Sequence, residues 1–349
     1  MTVTISSSVK QRVLYFDFLR GIAVIMVVAI HVFGLCFTKE NIPIYAVLLR
    51  QLMNCAVPIF CASSAYFLIV RNLDGQKYWK FLARQIPRVY IPLLFCSFPY
   101  LLLDFLNGTE IWKYLLKYFF CGYSIYYFVA LVIQFYVLLP LFQKIRLFRN
   151  IFFCLALSLV WVAFYFYIVR LSIPLPLVIY AAPIFCFFVH FSVGAVLRTR
   201  QIGTKKSCIA FLILATIFLF FSVIESFWGM QVSGTLDGTG LKPTAVLFSV
   251  CALVLLYGFS FESNFPENNF TKFIGLAGKL SFGIYLTHLF VLMVLNKTIG
   301  ALAESNFITM GGGTLAWLIL TAAVFFADFG ILFLLKKLFP KLSRLFLGV

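Results

Sequence analysis

Three ionisable residues lie within one long apolar stretch, YFDFLRGIAVIMVVAIHVF, at residues 15–33: Asp17, Arg20 and His31. On an α-helix, the separation between Arg20 and His31 comes to three turns plus about 20°, so both side chains share one face and lie roughly 16 Å apart. Asp17 precedes Arg20 by three positions, a spacing at which helical side chains form ion pairs. Because ionisable groups are costly inside a membrane, this stretch is the first candidate for a catalytic or binding site.

Histidine is the side chain best suited to move protons near neutral pH, and the chain has only three: His31, His190 and His288. We interpret His190 as a structural hydrogen-bonding residue. Tyr285 and His288 follow Ser281 at +4 and +7, so the three share one helical stripe. Such a polar seam faces the interior of a membrane bundle, where it either binds substrate or packs helices.

A basic segment precedes the third apolar run, with Lys80, Arg84 and Arg88 at four-residue intervals. These residues are either ordinary determinants of membrane topology or a clamp for phosphate groups, which guanidinium groups bind with two hydrogen bonds. Pro87 and Pro92 are expected to interrupt a helix here and to free backbone groups for a ligand.

The composition places the chain among integral membrane proteins. Of its 349 residues, 63% are hydrophobic and 11% charged, whereas soluble domains carry about 25% charged residues. The net charge of +17 does not indicate a nucleic-acid partner, because the basic residues cluster between apolar runs as in the positive-inside pattern. The nine cysteines are scattered and lack metal-ligand spacing, so we predict buried thiols, no disulfide and no metal site.

The pattern predicts an all-α, polytopic transmembrane helix bundle of about ten spans, with both termini in the cytoplasm. Residues 1–12 are expected to form a cytoplasmic tail, residues 13–335 the transmembrane domain, and residues 336–349 a basic cytoplasmic tail. The first apolar run lacks a cleavage site and is predicted to remain as a span. The predicted spans are 13–37, 44–70, 89–107, 123–142, 151–171, 180–197, 207–228, 243–261, 280–299 and 313–335.

Two segments between spans have their own patterns. The run Glu110–Phe120 is too short to span and is predicted to lie as a helix in the outer interface. The Gly-rich segment Gly229–Pro243 is the longest predicted outer loop and could cover a pocket. Within the last span, Asp328 has no local cation, so it needs a partner on another helix or must be neutral.

Four segments, taken in order, resemble the acyltransferase 3 family of bacterial membrane proteins. The first-helix signature of that family is similar to YFDFLRGIAVIMVVAIH, with Arg20 and His31 at the family spacing. The second-helix pattern is similar to VPIFCASSAYFLIV, which contains Tyr66, although Ala65 stands where the family has glycine. The third segment is YYFVALVIQFYVLLPLF, and the fourth is LGKLSFGIYLTHLFVL, which holds Ser281 and His288.

The resemblance covers nearly the whole chain and implies the compact type of this family, without a fused SGNH domain. It implies an O-acyltransferase of the bacterial inner membrane, which moves an acetyl or longer acyl group from acyl-CoA to a hydroxyl of a cell-surface or lipid-linked glycan. Acetyl-CoA is then a co-substrate, and no permanently bound cofactor is expected. The residues that the resemblance and the spacing together assign are His31, Arg20 and Asp17 for catalysis, Arg20, Lys80, Arg84 and Arg88 for the donor, and Tyr66, Ser281, Tyr285 and His288 for the acceptor.

The mechanism that follows from this assignment uses the opening helix as a path between two compartments. Arg20 would hold the donor at the cytoplasmic end, and the pantetheine arm would run along Val24 and Val27 towards His31. His31 would then act as general base or carry the acyl group itself. The alternative is a transporter or flippase of a lipid-linked glycan, although the inverted repeats that many transporters show are not evident in the sequence.

Overall fold

The computed structural model describes residues 7–71, 73, 75–108, 110–169, 176–199, 205–259, 265–302 and 313–349. Within these ranges the protein is helical and contains no β-strand, which confirms the all-α prediction. The predicted tail falls partly outside the described residues. From Ser7 onward it already belongs to the first helix, so that helix begins earlier than the hydrophobic pattern indicates.

The helices are numbered here in chain order, and short 3-10 turns are left unnumbered. They are α1 (Ser7–Cys36), α2 (Ile44–Leu52), α3 (Ala56–Leu68), α4 (Gln76–Leu106), α5 (Ile111–Phe119), α6 (Tyr127–Lys144), α7 (Ile151–Ala163), α8 (Leu177–Tyr180), α9 (Phe188–Thr199), α10 (Lys205–Ser233), α11 (Pro243–Gly258), α12 (Asn269–Leu302), α13 (Gly313–Leu338) and α14 (Pro340–Phe346).

Eight helical segments of the described chain are long and apolar enough to cross a membrane. They are Val13–Cys36, Ile44–Leu68, Gln76–Leu106, Tyr127–Lys144, Ile151–Val169, Lys206–Ser233, Asn269–Thr298 and Gly313–Leu338. The other two predicted spans coincide with shorter apolar helices, Ile184–Thr199 and Pro243–Gly258. Each of the ten predicted segments therefore contains a helix, and the protein is a multi-pass helical membrane protein.

The third predicted span begins earlier than expected, because α4 starts at Gln76 and includes the whole basic segment. The prediction that Pro87 and Pro92 interrupt the helix is wrong: α4 passes through both, and through Pro99, without a break. Proline is tolerated inside membrane helices because neighbouring groups satisfy the backbone that it leaves unpaired. Lys80, Arg84 and Arg88 therefore lie on a helix and not in a loop.

Glycines bring α1 unusually close to α12. A Cβ atom at Gly21 would collide with the backbone of Ile274, and one at Gly278 would collide with the carbonyl of Asp17. Small residues allow membrane helices to approach in this way, and such approach stabilises their packing. The contact places Asp17 and Arg20, in the first half of α1, directly beside Lys279 of α12.

Helix α1 lies at the centre of the bundle. Its residues Phe16 and Leu19 belong to one buried hydrophobic cluster, while Val24 and Val28 belong to another. The indole Nε1 of Trp317 on α13 donates to the carbonyl of Ala29 at 2.8 Å and joins the second cluster to α1. The helix that carries the candidate residues is thus surrounded by other helices on several faces.

The two segments between spans are a short helix, as predicted for 110–120, and a loop that begins later than predicted for 229–243. Helix α5 has nine residues and is too short to span, and most of its side chains are exposed. In the segment 229–243, α10 continues to Ser233 and a 3-10 turn follows at Leu236–Thr239. That turn packs against the bundle and borders a cavity described below.

Candidate active site

A cavity of about 340 Å³ lies beside the second half of α1, and we call it the histidine cavity. His31 projects from α1 into it, and Arg50 reaches it from α2. His190 on α9 and Tyr127 on α6 are among the other polar residues of its wall. Leu236 and the residues 239–241 also line it, as predicted for a segment that covers a pocket.

His31 has a second imidazole beside it. The ring of His288, on α12, lies 5.2 Å from the ring of His31, centroid to centroid. Nδ1 of His288 donates to the carbonyl of Ile284 at 2.9 Å, and its Nε2 is buried without a hydrogen-bond partner among the described residues. In the neutral ring that Nε2 carries the lone pair, so His288 presents a proton acceptor in the neighbourhood of His31.

His190 is held by a hydrogen bond of its own. Its Nε2 lies 2.7 Å from the hydroxyl of Ser249, and that hydroxyl donates to the carbonyl of Val246. The imidazole therefore donates to Ser249, which is the structural role predicted for it. The side chain nevertheless lines the histidine cavity, which the sequence did not indicate.

A second cavity of about 420 Å³ lies at the other end of α1, and we call it the arginine cavity. Arg20, Arg88 and Lys279 line it together with a single carboxylate, Asp17. Asp17 pairs with Arg20 at 3.6 Å, as the spacing predicts, and with Lys279 on α12 at 4.0 Å. Three cations against one acid give this cavity a net positive charge, which favours a phosphate-bearing ligand.

Tyr285 on α12 lines both cavities and is the one described residue that their linings share. Its hydroxyl donates to the backbone carbonyl of Ile125, and its ring packs edge-on against Phe128 with centroids 5.5 Å apart. These contacts hold the tyrosine in place. The arginine and histidine cavities are thus neighbours that share one aromatic residue.

The expected path of the donor along Val24 and Val27 is wrong in its first part. Val24 is fully buried in the cluster that joins α1 to α12 and α13, and it lines neither described cavity. Val27 does line the histidine cavity. Val24 and Val27 share one face of α1 when the helix is considered alone. Because other helices pack on that face, Val24 lies in a helix contact and Val27 at the cavity. The described residue that the two cavities share is Tyr285.

The remaining predicted site residues divide into two groups. Ser281 lines the arginine cavity, whereas Lys80 and Arg84 are exposed and line neither described cavity. Tyr66 is buried, packs against the ring of Phe16, and has the guanidinium of Arg198 5.1 Å from its ring centroid. Tyr66 likewise lines neither described cavity.

Two cavity residues were missed as site candidates. They are Arg50 and Lys279, to which the sequence patterns described above assign no site role. An arginine within the apolar run 44–70 is itself a signal, because a charge inside a span indicates a function. Lys279 carries no comparable signal, since its place beside Asp17 depends on the packing of α12 against α1.

Asp328 does find its partner on another helix. Its Oδ1 accepts a hydrogen bond of 2.7 Å from the hydroxyl of Thr287, while Oδ2 is buried without a partner among the described residues. Thr287 is adjacent to His288 in the chain but lies on a different face of α12. The carboxyl group lines neither described cavity, and we assign it a role in packing α13 against α12.

The fold and these cavities define a class: a multi-pass membrane protein with a histidine site and a cationic site built around its first helix. A family model described as an acyltransferase domain matches residues 13–335. The chain belongs to the acyltransferase 3 family. It is therefore a membrane acyltransferase, and the transporter alternative loses its support. No match was found among curated proteins or among solved structures.

Proposed function

We propose that the protein transfers an acetyl group, or a longer acyl group, from acyl-CoA to a hydroxyl of a cell-surface or lipid-linked glycan. The observation that carries the proposal is the arrangement of the two cavities along α1. A cationic cavity with Arg20, Arg88 and Lys279 adjoins a cavity with His31, and Tyr285 is the one described residue that lines both. Acyl-CoA has a phosphate-rich end and a reactive thioester at the end of a slender arm, which matches a charged cavity beside a catalytic one.

On the donor side, Arg20 and Arg88 bind phosphate groups of CoA from two different helices. Guanidinium groups suit phosphates because two parallel hydrogen bonds fix the orientation of the phosphate, in addition to the attraction between opposite charges. Asp17 holds Arg20 in place through their ion pair and connects it to Lys279. The positive-inside pattern puts this cavity on the cytoplasmic side, where acyl-CoA is made.

On the acceptor side, His31 removes the proton of a sugar hydroxyl as its oxygen attacks the thioester carbonyl. The tetrahedral intermediate then expels the CoA thiolate, and the proton on His31 passes to the sulfur, so that the imidazole returns to its initial state. In the covalent variant, an imidazole nitrogen of His31 attacks the thioester carbonyl and expels CoA, whose sulfur takes up the ring proton. The sugar hydroxyl then attacks the acyl-imidazole, and its proton returns to the ring as the ester forms. His288 serves either route as a positioning residue, because its ring, with an unpartnered Nε2, lies 5.2 Å from the ring of His31.

The test uses the purified protein in lipid nanodiscs, with radiolabelled acetyl-CoA and a glycan extract. His31→Ala should lower transfer by about 10² to 10⁴-fold if His31 is the general base or carrier. His31→Asn is the companion variant, since it keeps a polar side chain and should fail equally. Both variants must match the wild type in expression and elution profile, and transfer within a few-fold of wild type would refute the role of His31.

The same preparation distinguishes the two routes. Without acceptor, a covalent mechanism leaves radiolabel on the wild-type protein and none on His31→Ala. A general-base mechanism leaves the protein unlabelled in both cases. Movement of glycan across the bilayer without acylation would contradict the proposed function as a whole.

A further inference from the structure

The histidine cavity contains a buried cation that the proposed chemistry does not yet use. Arg50 is 7% exposed, and its guanidinium lies in the wall of the cavity that holds His31. Neither Asp nor Glu is among the described residues of that wall. A cation in such a place is costly unless an opposite charge accompanies it.

Nothing in the described protein supplies that opposite charge. No described carboxylate forms an ion pair with Arg50. Glu225, a buried acid of α10, is occupied by Tyr167 and Thr244. Among the described residues, the guanidinium makes one side-chain hydrogen bond, from Nη1 to Oδ1 of Asn54. The remaining N–H groups of the guanidinium thus retain capacity for a ligand.

A hydrogen-bond network fixes Arg50 in this position. The amide nitrogen of Asn54 donates to Oε1 of Gln51 at 2.7 Å and to the carbonyl of Thr239 at 3.2 Å, so its oxygen must point to Arg50. Lys242, which is fully buried, donates to the same Gln51 oxygen at 2.6 Å. An arginine held in advance by such a network loses little freedom when it binds a ligand.

We propose that Arg50 binds an anionic group of the acceptor, so that the acceptor is an acidic glycan. The group is either the carboxylate of a uronic acid or a phosphate attached to the sugar, since the guanidinium fork fits both. This inference rests on the proposed function and adds the chemical class of the acceptor. Arg50 then acts in specificity, holding the sugar in the cavity where His31 meets its hydroxyl.

The test compares three acceptors: an oligosaccharide with a uronic acid, its phosphorylated counterpart and a neutral one of equal length. With wild-type protein, at least one anionic acceptor should be used at higher kcat/KM than the neutral one. Arg50→Gln keeps a donor for Asn54 but removes the charge. It should lower kcat/KM for the preferred anionic acceptor by about 10- to 100-fold, as expected for loss of a charged hydrogen bond. The matched control is Lys39→Gln, which removes an exposed cation from the loop after α1.

Two outcomes would overturn the inference. One is an equal preference of the wild type for neutral and anionic acceptors. The other is a loss in Arg50→Gln that is the same for all three, which would place Arg50 at the oxyanion of the transition state instead. The loss of kcat/KM in Arg50→Gln, compared between the uronic-acid acceptor and the phosphorylated acceptor, identifies the anion that Arg50 binds.

A binding measurement separates this inference from the proposed function. Free glucuronate or glucose 6-phosphate should raise the midpoint of thermal unfolding of the wild type more than glucose does. The increment should disappear in Arg50→Gln and persist in Lys39→Gln. Suppose that no acceptor is acetylated, but the anionic sugars raise the unfolding midpoint of the wild type and of Lys39→Gln and not that of Arg50→Gln. The proposed function then fails and the anion site stands. Acetylation without any increment for either anion would refute the anion site alone.

Discussion

The close contact between α1 and α12 makes a prediction that is specific to Gly278. A Cβ atom there would lie 2.6 Å from the carbonyl carbon of Asp17 and 3.0 Å from the amide nitrogen of Gly21, and it would overlap the Asp17 carbonyl oxygen. Ordinary carbon contacts need about 3.5–4.0 Å, so the two helices must separate by roughly 1 Å to admit one methyl group.

The cost of this separation follows from two opposed effects. Overpacking a well-packed interior costs about 1–3 kcal/mol, while alanine is favoured over glycine in a helix by about 1 kcal/mol. Gly330 on α13 isolates the second effect, because a Cβ there meets nothing within 4 Å. The difference between Gly278→Ala and Gly330→Ala in the free energy of unfolding therefore measures the cost of overpacking alone. At about 2–4 °C per kcal/mol, Gly278→Ala should unfold about 2–12 °C below Gly330→Ala.

The same separation should affect catalysis. Asp17 and Arg20 would move relative to Lys279, and His31 relative to His288. Because a misplacement of about 1 Å can cost 10²-fold in rate, acyl transfer by Gly278→Ala should fall by at least about tenfold. Thermal unfolding in detergent and the radiolabel assay measure the two effects. If Gly278→Ala matches Gly330→Ala in both, the reasoning from helix contact to site geometry is refuted.

Three further substitutions test other contacts. Arg20→Lys keeps the charge beside Asp17 but loses the guanidinium fork, so KM for acyl-CoA should rise about tenfold or more; an unchanged KM would reduce Arg20 to a charge anchor. Lys242→Met removes hydrogen bonds to Gln51, Ser226 and Gly238, which should lower the free energy of unfolding by about 1.5–3 kcal/mol. Proteolysis between residues 234 and 242 should then be faster, and protease resistance equal to that of the wild type would contradict this. Asp328→Asn keeps an acceptor for Thr287, so activity should stay within about twofold, and a large loss would assign the carboxyl group a chemical role.

Much of the first helix was predictable because its information is local. The spacing of Asp17 and Arg20 predicts their ion pair, which the structure contains at 3.6 Å. The ten apolar segments were also recognisable, since a span must be long and apolar wherever it lies in the bundle. These features depend only on the sequence of a single helix and on the properties of the surrounding lipid.

The features that were missed depend on contacts between helices. Lys279 reaches Asp17 because glycines let α12 approach α1. Val24 is buried where these helices pack and therefore lines neither described cavity. The uninterrupted course of α4 through Pro87 depends on neighbours that satisfy its backbone. Arg50 is an exception, because a charge within the apolar run 44–70 is a signal of function that the sequence alone contains.

The position of Tyr285 has a consequence for the membrane itself. A continuous polar passage through the bundle would conduct protons and ions, and each elementary charge that crosses 100 mV dissipates about 2.3 kcal/mol of the cell's stored energy. With its hydroxyl on Ile125 and its ring on Phe128, Tyr285 is fixed in the wall that the two cavities share. Under the proposed function, charged donor and acceptor groups enter from opposite sides, and Tyr285 then has to keep the bilayer electrically tight. The proposed function thus requires only the slender acyl arm to pass Tyr285.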